Sequence, residues 1–126
     1  MTRNFCAVLA LIFVAYMSPV QGAETRRLQT LDTPHYVVTI ESLCQEGEVT
    51  CDQIRYEGVS KRSGNSIRLI GHTLFSLCAD KVTPCRFLGY QFVNGHVTYQ
   101  ILEPGILRVI QDQSTVLINE QGRWLP

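Results

Sequence analysis

The sequence predicts an all-β domain, a single small antiparallel meander closing into a barrel or sandwich of about eight strands. Three observations lead there. Apolar residues recur at every second position through most of the chain after Pro34, the pattern of strands buried on one face. The alternating runs are short and separated by turn-forming residues. No segment longer than a turn carries a helical apolar period with caps.

The first element lies outside that pattern. Arg3 precedes an unbroken apolar run from Ala7 to Tyr16, Pro19 breaks the run, and Val20-Gln21-Gly22 offers small residues at the usual cleavage positions. Residues 1–22 are therefore expected to be a secretory signal peptide, cut after Gly22 or, as an alternative, after Ala23. The run is too short for a membrane span, which needs about 20 residues. Cys6 precedes the apolar run, so it is misplaced for lipid attachment and is expected to leave with the signal.

Cleavage at that point leaves 104 of the 126 residues, enough for one domain with a modest core. Without Arg3 the 11 Lys and Arg fall to 10 against 11 Asp and Glu, a net charge of −1. A near-neutral domain lacks the concentrated basic face that nucleic-acid binding requires. No second apolar stretch approaches membrane length, so no membrane span is expected in the mature form.

Residues 23–34 are polar, and Pro34 biases Thr33 toward extended geometry. They read as a flexible N-terminal leader, with the β domain occupying 35–126. Within it Tyr36, Val38 and Ile40 form the first inward set, followed by Ile54 and Tyr56, then Ile67 and Leu69. Leu88, Tyr90 and Phe92 come next, then Val97, Tyr99 and Ile101, then Leu107 and Val109. Between them lie Lys61-Arg62-Ser63-Gly64-Asn65, Asn94-Gly95, Glu103-Pro104-Gly105 and Asp112-Gln113-Ser114. Asn94-Gly95 is the strongest hairpin signal, because both central positions of a type I′ turn need positive φ. Glu103-Pro104-Gly105 fits a turn with proline first and glycine second. Trp124 is expected to close one end of the core.

The four cysteines of the mature chain form a near-repeat. Ser42-Leu43-Cys44 runs through six residues to Cys51, and Ser76-Leu77-Cys78 runs through six residues to Cys85. An even number of cysteines in a secreted chain reads as a disulfide framework. One local solution used twice is the simplest account of two equal spacings, so the expected pairs are Cys44–Cys51 and Cys78–Cys85. Each would close a disulfide loop. A zinc site would place cysteines two to four residues apart, which disfavours a metal. The two blocks match at six of eighteen positions from Ser42 to Val59, through either duplication or convergence.

No catalytic constellation is legible. The mature cysteines are expected to be oxidised, and no Gly-x-Ser-x-Gly elbow is present. His35, His72 and His96 form no local ligand motif and read as exposed loop-edge residues. No cofactor, metal or catalytic residue is expected. Glu41, Glu46, Glu48 and Asp52 crowd the first cysteine block, while Lys61, Arg62 and Arg68 surround the next turn. In a meander these groups would fall at opposite ends of one strand, and they read either as ordinary solvated loops or, functionally, as a docking surface with two electrostatic poles. The candidate partner-binding residues are Lys61, Arg62, Ser63, Glu46, Glu48 and Lys81.

The leading expectation is a small periplasmic or secreted disulfide-stapled β protein that binds another protein in the cell envelope or outside the cell. An inhibitor or immunity protein would fit, because a stapled scaffold lowers the ordering cost of binding. The alternative is a small-ligand carrier, against which the large inward Tyr90, Phe92 and Tyr99 argue. A hydrolase with an unrecognised site comes last.

Overall fold

A computed structural model describes residues 27–126. The expected signal peptide and the first residues of the expected leader lie outside that range. Nine antiparallel strands form one nearly closed, barrel-shaped sheet, and the described residues contain no helix. The strands are β1 (Arg27–Asp32), β2 (Tyr36–Ser42), β3 (Ile54–Ser60), β4 (Ser66–Leu77), β5 (Pro84–Asn94), β6 (Val97–Leu102), β7 (Ile106–Gln111), β8 (Thr115–Gln121) and β9 (Arg123–Trp124). Each of β1 to β8 pairs with its sequence neighbour, and β9 returns to pair with β1.

The inward residues follow the alternation. Val38, Ile40, Ile54, Tyr56, Phe92, Ile101, Leu107 and Val109 are buried, with Tyr36, Ile67, Leu69, Val97 and Tyr99 half-buried against them. The interior is filled rather than hollow, as is usual for a barrel of about eight strands. The Tyr56 ring lies 5.0 Å from Phe92 and 5.5 Å from Tyr99, centroid to centroid. Burial first, and then Tyr99 and Tyr36, push the Tyr56 phenol well above its ordinary value.

The leader needs correction. Residues 27–32 are a strand, β1, paired along its length with β2. Leu31 within it is fully buried. Leu28 is 62% exposed, so the segment lacks an alternating apolar signal and reads as polar. Its ladder partners supply what local sequence does not.

β1 also closes the barrel. Gly122 carries the chain from β8 across to β1, where a Cβ would meet the Asp32 carbonyl oxygen at 2.6 Å. β9 then makes only two register pairs, Asp32↔Arg123 and Leu31↔Trp124. Side chains reinforce this narrow seam. The Trp124 indole N–H donates to the Glu103 carbonyl at 2.8 Å, consistent with its expected closing role. Lys61 Nζ reaches Asp32 and donates to the Thr33 carbonyl, both at 2.6 Å. Glu120 takes His35 Nδ1 at 2.6 Å and the His35 backbone N–H at 3.2 Å.

Two turns differ from expectation. The Asn94↔Val97 pair leaves Gly95 and His96 as the central residues of the β5–β6 turn. Only Gly95 of that pair has positive φ, at 60°, the type II′ pattern with glycine first. The paired positive φ values of a type I′ turn fall instead on Asp112 (51°) and Gln113 (63°), between β7 and β8. The third difference lies in β5. The β4 ladder jumps from Gly89 to Phe87, leaving Leu88 as an extra residue. A bulge of one residue exchanges the faces of the strand beyond it, so Phe87, not Leu88, joins Tyr90 with ring centroids 5.4 Å apart.

Candidate functional site

In an antiparallel meander every second connection falls at the same end. The β2–β3 loop, the β4–β5 loop and the β6–β7 turn therefore share one end. Both disulfides, Cys44–Cys51 and Cys78–Cys85, are at that end. They are compatible with an oxidising, extracytoplasmic location.

The two loops reach this stapled end in different ways. Residues 43–53 separate β2 from β3, and the first staple lies within them. That loop is folded onto the barrel. Cys51 is buried, its N–H donates to Thr73 Oγ1 at 3.0 Å, and its carbonyl accepts the Thr73 N–H at 2.8 Å. The second staple instead caps a projecting ribbon. Beyond the Ile54↔Gly71 pair β4 has no further pairing with β3, and before Gly89↔Leu102 β5 has none with β6. Six residues of β4, from His72 to Leu77, extend past that limit, roughly 20 Å at about 3.3 Å per residue.

At the ribbon tip, the Asp80 carboxylate accepts the backbone N–H groups of Val82 at 3.0 Å and Thr83 at 2.9 Å, and the Thr83 hydroxyl. The Thr83 hydroxyl first, then these N–H groups, hold Asp80 well below the usual carboxylate range, at about 2. The tip exposes Leu77 (56%) and Val82 (77%). Lys81 stands beside them with a φ of 60°. Down one face of the ribbon run three aromatic rings: Phe75 meets Phe87 at 5.5 Å, and Phe87 meets Tyr90 at 5.4 Å.

Between the folded-down loop and this aromatic face lies the barrel mouth, a cavity of about 310 Å3. Its walls include Gln29 of β1, Glu46 and Glu48 of the first loop, Thr73 of β4, and Phe87 and Tyr90 of β5. The Tyr90 hydroxyl donates to Gln29 Oε1 at 3.3 Å and bridges β5 to β1 across the mouth.

The expected site residues divide between the two ends. Glu46, Glu48 and Lys81 are at the stapled end. Lys61, Arg62 and Ser63 are at the other, in the β3–β4 turn. Lys61 is held by Asp32 and Thr33 as part of the seam. The expected electrostatic poles are thinner than the residue types suggest, because Glu41 pairs with Arg55 and Glu57 with Arg68, each at 3.1 Å across directly opposed strand positions. From Ser42 to Gln53 the first loop holds Glu46, Glu48 and Asp52 and no lysine or arginine.

The histidines do not converge. His35 binds Glu120, His96 lies 3.6 Å from Asp112, and His72 Nδ1 is 2.8 Å from the Thr73 carbonyl. Among the described residues no cluster of three or more His, Cys, Asp or Glu could hold a metal ion. Sequence reasoning missed Phe87 and Tyr90 as mouth residues. The alternation read Tyr90 as core and left Phe87 off the inward face, and the bulge that re-aims Phe87 has no signature beyond Gly89.

No protein-family model matches the chain, and the searches of curated proteins and of solved structures returned no match.

Proposed function

We propose that the protein is a periplasmic or secreted binding protein whose stapled end docks on another protein, as an inhibitor or immunity protein does. One observation carries this reading: the meander gathers both disulfide loops at one end, around a mouth flanked by a projecting ribbon with an apolar tip. Leu77 and Val82 are large apolar side chains held out in water on a braced element. Such exposure is unfavourable in a lone monomer and useful in an interface centre. The staples and the Asp80 cap order the tip before binding, which cuts the entropy lost on association. Acidic Glu48, at the same end, favours a partner with a cationic surface. A non-catalytic role is part of the reading, and it needs no cofactor.

The test is direct. The oxidised mature protein captures its partner from an envelope or culture extract, and the pair is then reconstituted from purified components. Leu77→Ser with Val82→Ser should weaken that complex by at least about tenfold, since burying two such side chains is worth more than about 1.4 kcal/mol. Arg62→Ala with Ser63→Ala, at the far end, should change it less than about twofold, as surface substitutions usually do. The opposite ranking would move the interface to the far end and overturn the assignment.

A further inference from the structure

We propose that Lys81 is the leading contact of the docking ribbon and enters an anionic recess of the partner, where its ammonium group meets a carboxylate. The inference rests on the protein-binding reading and names the chemistry of the partner's site. The chain has two lysines, Lys61 and Lys81. Lys61 is tied into the seam by Asp32 and Thr33. Lys81 is exposed at the apex of the ribbon, next to Val82. Its backbone conformation is an unfavourable one for lysine. The Lys81 N–H donates to the Cys78 carbonyl at 2.9 Å and closes the turn, and that last turn position favours glycine. Lysine holds a φ of 60° there, which side chains other than glycine adopt at a cost. The surroundings sustain that strain: the Cys78 N–H donates to the Thr83 carbonyl at 2.8 Å, the Cys78–Cys85 bond closes the tip, and Asp80 caps it. A charged side chain kept at a strained position on the exposed end of a braced element serves a contact outside the fold.

The charge of the ribbon sets the charge of the recess. From His72 to Leu88 the sequence carries one acid, Asp80, and two bases, Lys81 and Arg86. The Asp80 carboxylate is turned onto the Val82 and Thr83 N–H groups and the Thr83 hydroxyl, while Lys81 and Arg86 are exposed. The ribbon thus presents cations together with apolar Leu77 and Val82. A recess complementary to it is acidic at its floor and apolar along its walls. Glu48 does not reverse this, because its loop is fixed at the base of the ribbon by the Cys51–Thr73 hydrogen bonds. From Thr73 to Cys78 the ribbon rises roughly 16 Å at about 3.3 Å per residue. That is about twice the Debye length of about 8 Å at physiological salt, so Glu48 faces the partner's rim and Lys81 its recess. Opposite charges at two depths also fix the orientation of docking.

The test uses the complex reconstituted from the oxidised protein and its purified partner. A carbodiimide, which joins an amine to a carboxylate in contact with it, should link Lys81 to an Asp or Glu of the partner and leave Lys61 unlinked, as read by mass spectrometry. Lys81→Asn supplies a residue that tolerates positive φ and removes the charge. It should weaken the complex by at least about tenfold, while amide protection at Val82 and Thr83 stays within about twofold. Lys81→Arg, which keeps the charge, should lose less than about threefold. Full affinity in Lys81→Asn, tip protection lost in step with affinity, a link from Lys61 alone, or a Lys81 link to a second copy of this chain would overturn the proposal. If Leu77→Ser with Val82→Ser weakens the complex and Lys81→Asn does not, the recess assignment fails and the docking reading stands. If Lys81→Asn weakens it and the apolar pair does not, the apolar centre of the docking reading fails and the lysine contact stands. If no complex forms, both fall.

Discussion

The two disulfide loops begin from nearly the same sequence and end in different physical situations. Each staple spans seven positions and follows Ser-Leu-Cys. Yet the first lies within an eleven-residue connection packed on the core, while the second bridges a six-residue turn at the end of a free ribbon. Cys51 is 7% exposed, whereas Cys85 stands on the exposed outer part of β5. The tyrosines that follow diverge likewise. Tyr56 is buried among Phe92 and Tyr99, and Tyr90 lines the mouth. Equal spacing thus specifies the covalent bond and not its role, which comes from what the neighbouring strands pack against the loop.

The largest expected difference follows from that contrast. In the chain-entropy model a loop of this length gives about 2.5 kcal/mol by restricting the unfolded chain. The unfolded-state term is the same for both staples, so the native states decide. Without Cys44–Cys51 the barrel-packed loop cannot relax, and the buried sulfur is lost as well. Cys44→Ala with Cys51→Ala should cost about 2–4 kcal/mol in denaturant unfolding. Without Cys78–Cys85 the ribbon can fray while the barrel stays folded, and the entropy it gains offsets part of the loss. That double variant should cost at least about 1 kcal/mol less than the first, with amide protection lost from Ser76 to Arg86. Equal costs would mean that the ribbon is not an independent unit.

A smaller effect tests how the first loop is held. Thr73→Val keeps the shape and removes the hydroxyl that accepts the Cys51 N–H at 3.0 Å. The N–H is left in a part-buried place, so about 1–2 kcal/mol should be lost. The matched change on the ribbon is Ser76→Ala, where Ser76 Oγ accepts the Arg86 N–H at 3.1 Å in an exposed position. Water replaces that bond, and the expected cost is below about 0.5 kcal/mol. A ribbon variant as costly as the barrel variant would erase the distinction between the loops.

The same contrast explains what could be read from the chain. The staples, the alternation of Val38 and Ile40, and the filled interior around Tyr56 and Phe92 were legible, because each rests on spacing within a few residues. Strand β1 was not: Leu28 points to water and Leu31 to the core, and only pairing with β2 and β9 makes six largely polar residues a strand. The mouth was half legible. Glu46 and Glu48 stood out as charge, but Phe87 was hidden by the Leu88 bulge, which shifts the alternation by one residue. Both failures have one cause. Register and closure are set by residues far apart in sequence, so local periodicity carries no trace of them.

The smallest effect separates the loops by pH. Asp80 is exposed, and its depressed pKa comes from hydrogen bonds within the second loop, so its titration should be felt there and not in the barrel. A carboxylate whose folded pKa lies below its unfolded value stabilises the folded form above the unfolded pKa, and that contribution fades as pH falls through the folded one. The window here runs from the ordinary value of 3.8 down to about 2. Amide exchange at Val82 and Thr83, corrected for its intrinsic pH dependence, should lose protection across that window while Cys51 and Tyr56 keep theirs. Asp80→Asn should abolish the pH dependence at the tip, because the amide oxygen can still accept but no longer titrates. Protection lost together at Val82 and Tyr56 would show that the cap is coupled to the barrel and that the ribbon does not open on its own.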